Sequence, residues 1–139
     1  MRRILVFALL VAGCAQLPPT PEDIQSKRFE PVPGRAVIYV VRTPLDSTEI
    51  SGLVLGERGQ VGMQPGTYYR WEAAPGAQDV TGAGPANESV TLTTAPGRIY
   101  FLEHTVTGDP DGGGVQSTAL RQIGDQAGRT LVMRSQLLR

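Results

Sequence analysis

Pro-Gly pairs at residues 65–66, 75–76 and 96–97 divide the chain into short apolar runs. These runs are rich in β-branched and aromatic residues, which favour strands, whereas proline and glycine favour turns. Strands that recur about every 8–12 residues between such turns are typical of β-sandwiches. We therefore predict an all-β fold, a single antiparallel β-sandwich of immunoglobulin-like size, in which the Pro-Gly turns separate antiparallel strands.

Residues 35–42 form the strongest predicted strand. Both of their alternating faces are apolar, which is typical of a strand in the middle of a sheet. We expect the inward-facing positions of this strand and of the later runs to form one core. Its predicted members are Ile38, Val40, Tyr69, Trp71, Val90, Leu92, Tyr100 and Leu102.

Residues 67–73 alternate between two sides, as expected of a half-buried antiparallel strand. Tyr69 and Trp71 fall on the side that faces the core, where large aromatic rings fill space between sheets. The other side is predicted to face solvent and is the candidate surface for a ligand or a partner protein. It consists of Tyr68, Arg70 and Glu72.

Two short helices are predicted at the ends of the strand region. Thr20 and Pro21 have the features of an N-cap and a first helical residue, so a helix of about two turns is expected to run to Phe29. Asp125 could cap a short helix that carries Leu131, Val132 and Leu138 on its apolar side. Gly128 and the β-branched residues of this segment fit a terminal strand equally, and the sequence leaves both alternatives open.

The first residues have the pattern of an export signal. Arg2 and Arg3 precede an apolar run from Ile4 to Ala12, which ends in small residues before Cys14. The run is too short to cross a bilayer, because a transmembrane helix needs about 20 apolar residues. We therefore predict a signal peptide over residues 1–13, a tether with a short helix over residues 14–33 and the β-domain over residues 34–139.

The segment Val11-Ala12-Gly13-Cys14 resembles the lipobox of bacterial lipoproteins. The resemblance implies that the Cys14 thiol is acylated and anchors the chain to a lipid bilayer. Cys14 is the sole cysteine, so it has no disulfide partner within the chain. Ala15 follows the cysteine, which by the rule for many Gram-negative lipoproteins implies a place on the periplasmic face of the outer membrane. An ordinary secretory signal, or an apolar first strand, is the alternative.

Residues 34–123 resemble a family of bacterial lipoproteins classed as domain of unknown function, number 2846. The similar motifs are Gly-x-Ala-x-x-Tyr-x-x-Arg over residues 34–42, Gly-x-Tyr followed by Pro-Gly over residues 66–76, and Pro-Gly-x-x-Tyr-Phe-Leu over residues 96–102. This chain departs from the family in placing Thr43 before Pro44. The resemblance implies a β-sandwich in the cell envelope and no known activity.

The titratable residues do not suggest a catalytic or cofactor site. The chain has 13 Lys and Arg, 13 Asp and Glu and one histidine, with no basic cluster of the kind that binds nucleic acid. His104 is expected to be a sheet residue that shares a face with Tyr100 and Leu102, without a Ser, Asp or Glu partner at a pocket. A zinc site would need three or four ligands. We therefore predict no enzyme activity, no cofactor and no metal.

The segment Asp109-Pro110-Asp111-Gly112-Gly113-Gly114 has two carboxylates near a glycine, as calcium loops do. It lacks the further oxygen ligands and the late glutamate of such loops. It also lacks the lysine and the helix that follow a phosphate-binding loop. We expect an exposed hairpin tip with its carboxylates apart.

These observations favour a membrane-anchored envelope lipoprotein with a non-catalytic interaction or structural domain and an envelope protein as its partner. The alternative is a lipoprotein that binds a cell-wall saccharide, peptide or lipid, which a concave patch of exposed aromatic residues would favour. An enzyme ranks third and would require carboxylates that converge around His104.

Overall fold

The computed structural model describes residues 17–43, 47, 49–84, 86 and 88–139. The helices are α1 (Pro21–Ser26) and α2 (Asp125–Met133), and a 3-10 turn spans Gly56–Arg58. The strands are β1 (Ala36–Arg42), β2 (Ser51–Leu55), β3 (Gly59–Met63), β4 (Thr67–Ala73), β5 (Gly76–Gly82), β6 (Ser89–Thr94), β7 (Ile99–Gly108), β8 (Val115–Ile123) and β9 (Gln136–Leu137).

The strands form a five-stranded sheet, in the order β8-β7-β1-β4-β9, and a four-stranded sheet, in the order β3-β2-β5-β6. The all-β prediction is confirmed, and β1 is a central strand whose residues are all buried. The prediction of purely antiparallel sheets is wrong, because β1 pairs with β7 and β4 pairs with β9 in parallel. The long connection between β1 and β7 allows this parallel pairing, which a tight turn would not.

None of these three Pro-Gly turns connects two strands that are hydrogen-bonded neighbours in one sheet. The turn at residues 65–66 leads from β3 to β4, the turn at 75–76 from β4 to β5, and the turn at 96–97 from β6 to β7, so each one crosses between the two sheets. The turns do separate strands as predicted, but the strands that each turn connects lie in different sheets and are not an antiparallel pair. The paired neighbours β2–β3, β5–β6 and β7–β8 are joined instead by the 3-10 turn and by two loops.

Side chains from both sheets meet in a cluster that we call the inter-sheet core. It contains every member of the predicted core: Ile38, Val40, Trp71, Leu92 and Leu102 are buried, and Tyr69, Val90 and Tyr100 are partly buried against them. Leu53, Leu55, Met63, Ala73, Val80 and Leu120 complete its buried part. The prediction of one core formed by the inward positions is confirmed.

A second cluster, the helix-side core, lies on the opposite face of the five-stranded sheet. Its buried members are Val37, Tyr39, Val41, Tyr68, Phe101 and Val132. Phe29 contacts both Tyr39 and Phe101, with ring centroids 5.4 Å and 6.0 Å away. This cluster explains why both faces of β1 are apolar: one face lies in each core.

Helix α1 begins at the predicted cap, where the Thr20 hydroxyl accepts a hydrogen bond from the Asp23 backbone N–H at 3.1 Å. It ends at Ser26, before the predicted Phe29, which has a positive φ of 52° and turns the chain toward β1. Lys27 Nζ donates to the Ser135 carbonyl at 2.7 Å and fixes α1 against the chain before β9. Helix α1 therefore packs on the strand region, although it precedes the predicted domain boundary at residue 34.

The C-terminal segment contains both of the structures that the sequence left open. Helix α2 is followed by the short strand β9. Gly124, rather than Asp125, occupies the N-cap position. Gly128 is buried where α2 crosses β7, and a Cβ atom there would lie 2.1 Å from Cγ of Phe101. Because glycine has no side chain beyond a hydrogen atom, the helix can lie close to the sheet at this position.

The two sheets approach closely along β5 and β8. A Cβ atom on Gly82 would lie 2.2 Å from Oγ1 of Thr118, so the glycine permits this contact. The Thr118 N–H also donates to the Ala86 carbonyl at 2.9 Å, which attaches the β5–β6 loop to β8. A groove lies where β4 borders β2, β5 and the 3-10 turn.

Candidate binding groove

The three residues of the predicted exposed face do not share one environment. Tyr68 is fully buried, and its hydroxyl donates to Oδ1 of Asp23 at 2.6 Å. The prediction that Tyr68 faces solvent is wrong because α1 covers this half of β4. Arg70 is partly buried and Glu72 is exposed, farther along the same side of the strand.

Arg70 and Glu72 form an ion pair, with 2.7 Å between Nη1 of Arg70 and Oε1 of Glu72. Burial alone would lower the pKa of Arg70, but the hydrogen bond to Glu72 and the contact with Tyr39 raise it above its usual value. The arginine therefore stays charged. The Glu72 side chain of this ion pair is exposed and the Arg70 side chain is partly buried. The rim of the groove therefore carries one positive and one negative group here.

The groove has a volume of about 1150 Å³ and is open to solvent. Strand β4 contributes one wall, and the end of β2, the 3-10 turn and β5 contribute the other. Its charged lining residues are Arg35, Glu57, Arg58, Arg70, Glu72 and Asp79, and its aromatic lining residues are Tyr69 and Trp71. The surface is therefore mixed in charge and has aromatic rings in its wall.

The edge of β4 is open along the groove. Strand β9 pairs with Thr67 and Tyr68 alone among the residues of β4. The Tyr68 carbonyl points toward β9 and accepts from the Leu138 N–H at 2.8 Å. Because backbone direction alternates along a strand, the N–H and C=O groups of Arg70 and Glu72 point the same way, past the end of β9.

One of these edge groups has a partner within the chain. Nη2 of Arg35 donates to the Glu72 carbonyl at 2.7 Å. Strand β1 pairs with the other edge of β4, but on the β9 side no strand among the described residues pairs with β4 beyond Tyr68. The N–H and C=O groups of Arg70 and the N–H of Glu72 therefore lie on an open sheet edge beside the groove. Such groups are a template for an added strand.

Tyr69 and Trp71 lie between the inter-sheet core and the groove. The Tyr69 hydroxyl accepts from Nε of Arg58 at 2.9 Å. Trp71 is 8% exposed, and within the described part of the chain no group accepts a hydrogen bond from its indole N–H. Gly56, at a positive φ of 43°, lies over the edge of the Trp71 ring, where a Cβ atom would be 3.4 Å from Cη2. The predicted core position of both rings is confirmed, and each also reaches the groove.

His104 is fully buried in β7, and its Nε2 lies 3.2 Å from Oγ of Ser51 on β2. The sequence did not predict this serine contact, which lies in the core and not at a pocket. Both residues are fully buried and neither lines the groove. Arg42 lies beside His104 in the register of β1 and β7, and its Nη1 donates to the Met63 carbonyl at 2.6 Å. The Ser51–His104 contact therefore joins the two sheets inside the core, without access for a substrate.

The loop after β7 is a hairpin tip. Oδ1 of Asp109 accepts from the backbone N–H of Asp111 at 2.9 Å, a local turn contact. Asp111 and the glycines after it are exposed. Across the described residues, no group of three or more His, Cys, Asp or Glu side chains is placed to hold a metal ion.

The sequence predicted part of this groove. It placed Trp71, Tyr69, Arg70 and Glu72 on one strand, but it did not bring Arg35 or the 3-10 turn next to them. That juxtaposition depends on the chain crossing between the sheets at residues 75–76, where the sequence predicted a turn but not a change of sheet. Cys14, the predicted lipidation site, lies outside the described residues.

No helix in the described part of the chain has the length and apolar character needed to cross a membrane. Comparisons with protein-family models, with curated proteins and with solved structures found no match for this chain.

Proposed function

We propose that this protein is a bacterial envelope lipoprotein, anchored through an acylated Cys14, whose β-sandwich domain binds another envelope protein without catalysing a reaction. The export-signal pattern and the lipobox resemblance support the anchor. Ala15 supports a place on the periplasmic face of the outer membrane. The resemblance of residues 34–123 to a lipoprotein family supports the same location in the cell envelope.

The open edge of β4 is the observation that carries the binding proposal. An extended segment of a partner can add to an exposed sheet edge through main-chain hydrogen bonds, and adjoining pockets then select its side chains. Arg70 and Glu72 supply the edge groups, and the groove lies directly beside them. Its rim carries arginines and carboxylates, which suit a polar peptide of mixed charge.

Site-specific photo-crosslinking in intact cells tests this proposal. A photoreactive amino acid at Glu57, which is exposed on the groove wall, is expected to capture a defined envelope protein. The matched control places the same amino acid at Gln126, which is exposed on α2 and remote from the groove lining. Equal adducts at both positions, or none at Glu57, would argue against a partner in the groove.

A second candidate is a lipoprotein that binds a small envelope ligand, such as a cell-wall saccharide or peptide. The aromatic wall of the groove favours it, because Tyr69 and Trp71 offer ring surface and an indole N–H. Trp71 is the sole tryptophan of the chain, so its fluorescence reports on the groove directly. Titration with muropeptides that shifts this emission, without any captured protein at Glu57, would favour the small-ligand function.

A further inference from the structure

Helix α1 lies close in the sequence to the proposed anchor. Thr20 caps α1, and five residues separate it from Cys14. A fully extended chain advances about 3.3–3.6 Å per residue, so Cys14 and Thr20 can be at most about 20 Å apart. A lipid on Cys14 would therefore hold α1 within about 20 Å of the headgroups, and this step rests on the proposed function.

The attachment point lies beside the C-terminal end of the chain. Residues 17–20 line a small cleft together with Gln136, Leu137 and Arg139. The backbone N–H of Leu137 also donates to Oδ1 of Asp23 at 3.2 Å. We call residues 17–28 and 125–139, which include α1, α2 and β9, the helical layer. Its two helices cover one face of the five-stranded sheet, and β9 is the edge strand of that sheet. This layer is the part of the domain nearest to the tether.

The helical layer exposes large apolar side chains. Leu17 is 67% exposed, Ile24 51% and Met133 57%. Ile24 and Met133 follow the buried residues Asp23 and Val132, and a rotation of about 100° per helical residue turns them away from the sheet. Single exposed apolar residues are ordinary. Here three of them lie on the one layer that a short tether would bring to a membrane.

The same layer carries arginines available to lipid headgroups. Arg28, Arg134 and Arg139 are exposed, and none of them forms a side-chain hydrogen bond or ion pair with a described residue. A guanidinium group binds phosphate through paired hydrogen bonds, while its aliphatic stem covers apolar surface. Exposed apolar side chains together with unpaired arginines are suited to the boundary between headgroups and acyl chains.

We propose that the helical layer lies on the phospholipid surface that holds Cys14, with Leu17, Ile24 and Met133 in the interfacial region. The groove then lies toward the end of β4 that is remote from the attachment point. Strand β9 and the tether lie at the Thr67 end of β4, whereas the groove extends from Tyr69 toward Ala74. In this orientation, a partner reaches the open edge of β4 from the aqueous side.

Fluorescence quenching in vesicles tests the orientation with the full-length, lipidated protein. Because acylation blocks the Cys14 thiol, single substitutions Ile24→Cys, Met133→Cys and Val54→Cys can be labelled selectively. Val54 is the matched control, since it is an exposed apolar residue on the four-stranded sheet. In vesicles of phosphatidylethanolamine and phosphatidylglycerol, a nitroxide lipid is expected to quench the labels at Ile24 and Met133 about twofold or more, and the label at Val54 little.

The outcomes separate this inference from the proposed function. Mass spectrometry of the N-terminal peptide reports acylation in the same sample, and an unmodified Cys14 would contradict both proposals. Acylated protein whose Ile24 and Met133 labels remain accessible to aqueous iodide would overturn the orientation alone. Labels that are protected from iodide without quenching by the nitroxide lipid would assign the layer to a protein contact, such as a second copy, and would also overturn it.

Discussion

The Tyr68 hydroxyl donates a 2.6 Å hydrogen bond to Oδ1 of Asp23, 45 positions earlier in the chain. The same carboxylate also accepts hydrogen bonds from Nζ of Lys27 at 3.0 Å and from the backbone N–H of Leu137 at 3.2 Å. Asp23 is 4% exposed. One buried carboxylate therefore joins α1, β4 and β9. Because of these contacts, α1 packs on the domain, although the sequence assigned it to a tether.

Replacing Tyr68 with phenylalanine is expected to destabilise the domain by about 1–3 kcal/mol, because it leaves a buried carboxylate with one hydrogen bond fewer. Chemical denaturation measures the change in the free energy of unfolding. Tyr69→Phe is the matched control, since its hydroxyl bonds to Arg58 in an exposed position. Similar losses for both variants would show that the contact of Tyr68 with Asp23 is not the stabilising one.

The stability of the domain is expected to fall in acid through Asp23. Burial alone raises the pKa of Asp23, but the hydrogen bonds from Tyr68 and Lys27 outweigh it and hold the pKa below its ordinary value of 3.8. A carboxyl whose pKa is lower in the folded state stabilises above its unfolded pKa, and that contribution disappears as the pH falls through the folded value.

This pH dependence can be measured with Asp23→Asn. The variant should be less stable than the wild type at pH 7, and the difference should shrink below about pH 4, where the wild type loses the contribution of the carboxylate. Denaturation curves between pH 3 and pH 7 provide the measurement. A difference that stays constant across this range would assign the effect of the substitution to packing and not to charge.

Gly128→Ala is expected to destabilise the domain by about 1–3 kcal/mol or more, because the added methyl group would overlap the Phe101 ring and push α2 away from β7. Gly62→Ala serves as the control, since its methyl group would meet Ile50 at an ordinary 3.6 Å. Thermal unfolding of both variants checks this. An unchanged melting temperature for Gly128→Ala would mean that α2 does not lie this close to the sheet.

Local patterns predicted the strands and the inter-sheet core because alternation and turn residues act over a few positions. The environment of Tyr68 was not predictable in this way. Its burial depends on Asp23 and Leu137, which approach it only after α1 and β9 have docked. Because the second face of β1 is apolar, the sequence indicated that another element packs on it. Helix α1 is too short and too polar to be identified from its sequence as that element.

In the candidate site too, the local features were predictable from the sequence and the contacts between distant segments were not. Alternation placed Trp71 and Tyr69 on one side of β4, and the structure confirms it. The open edge was not predictable, because it exists only where β9 stops after Tyr68, and a two-residue strand has no sequence pattern of its own. The contact between Ser51 and His104 likewise joins positions 53 residues apart, in different sheets.

Trp71→Ala is expected to cost about 3–5 kcal/mol, because the side chain is buried in the inter-sheet core and its removal leaves a cavity. Trp71→Phe keeps most of the apolar volume and should cost clearly less. Chemical denaturation compares the two. A loss below about 1 kcal/mol for Trp71→Ala would place the ring at the surface and strengthen the small-ligand function of the groove.

Cys14→Ser tests the proposed anchor. A serine hydroxyl cannot take the place of the thiol in the thioether bond to diacylglycerol, so the variant is expected to incorporate no labelled palmitate and to leave the detergent phase on partitioning. The domain itself should keep its stability, because the described fold begins after this position. Unchanged palmitate incorporation would remove the lipobox interpretation, and with it the reason to place Thr20 within about 20 Å of a membrane. Fractionation of the wild type completes the test: Ala15 predicts recovery with the outer membrane, and retention in the inner membrane would contradict that address.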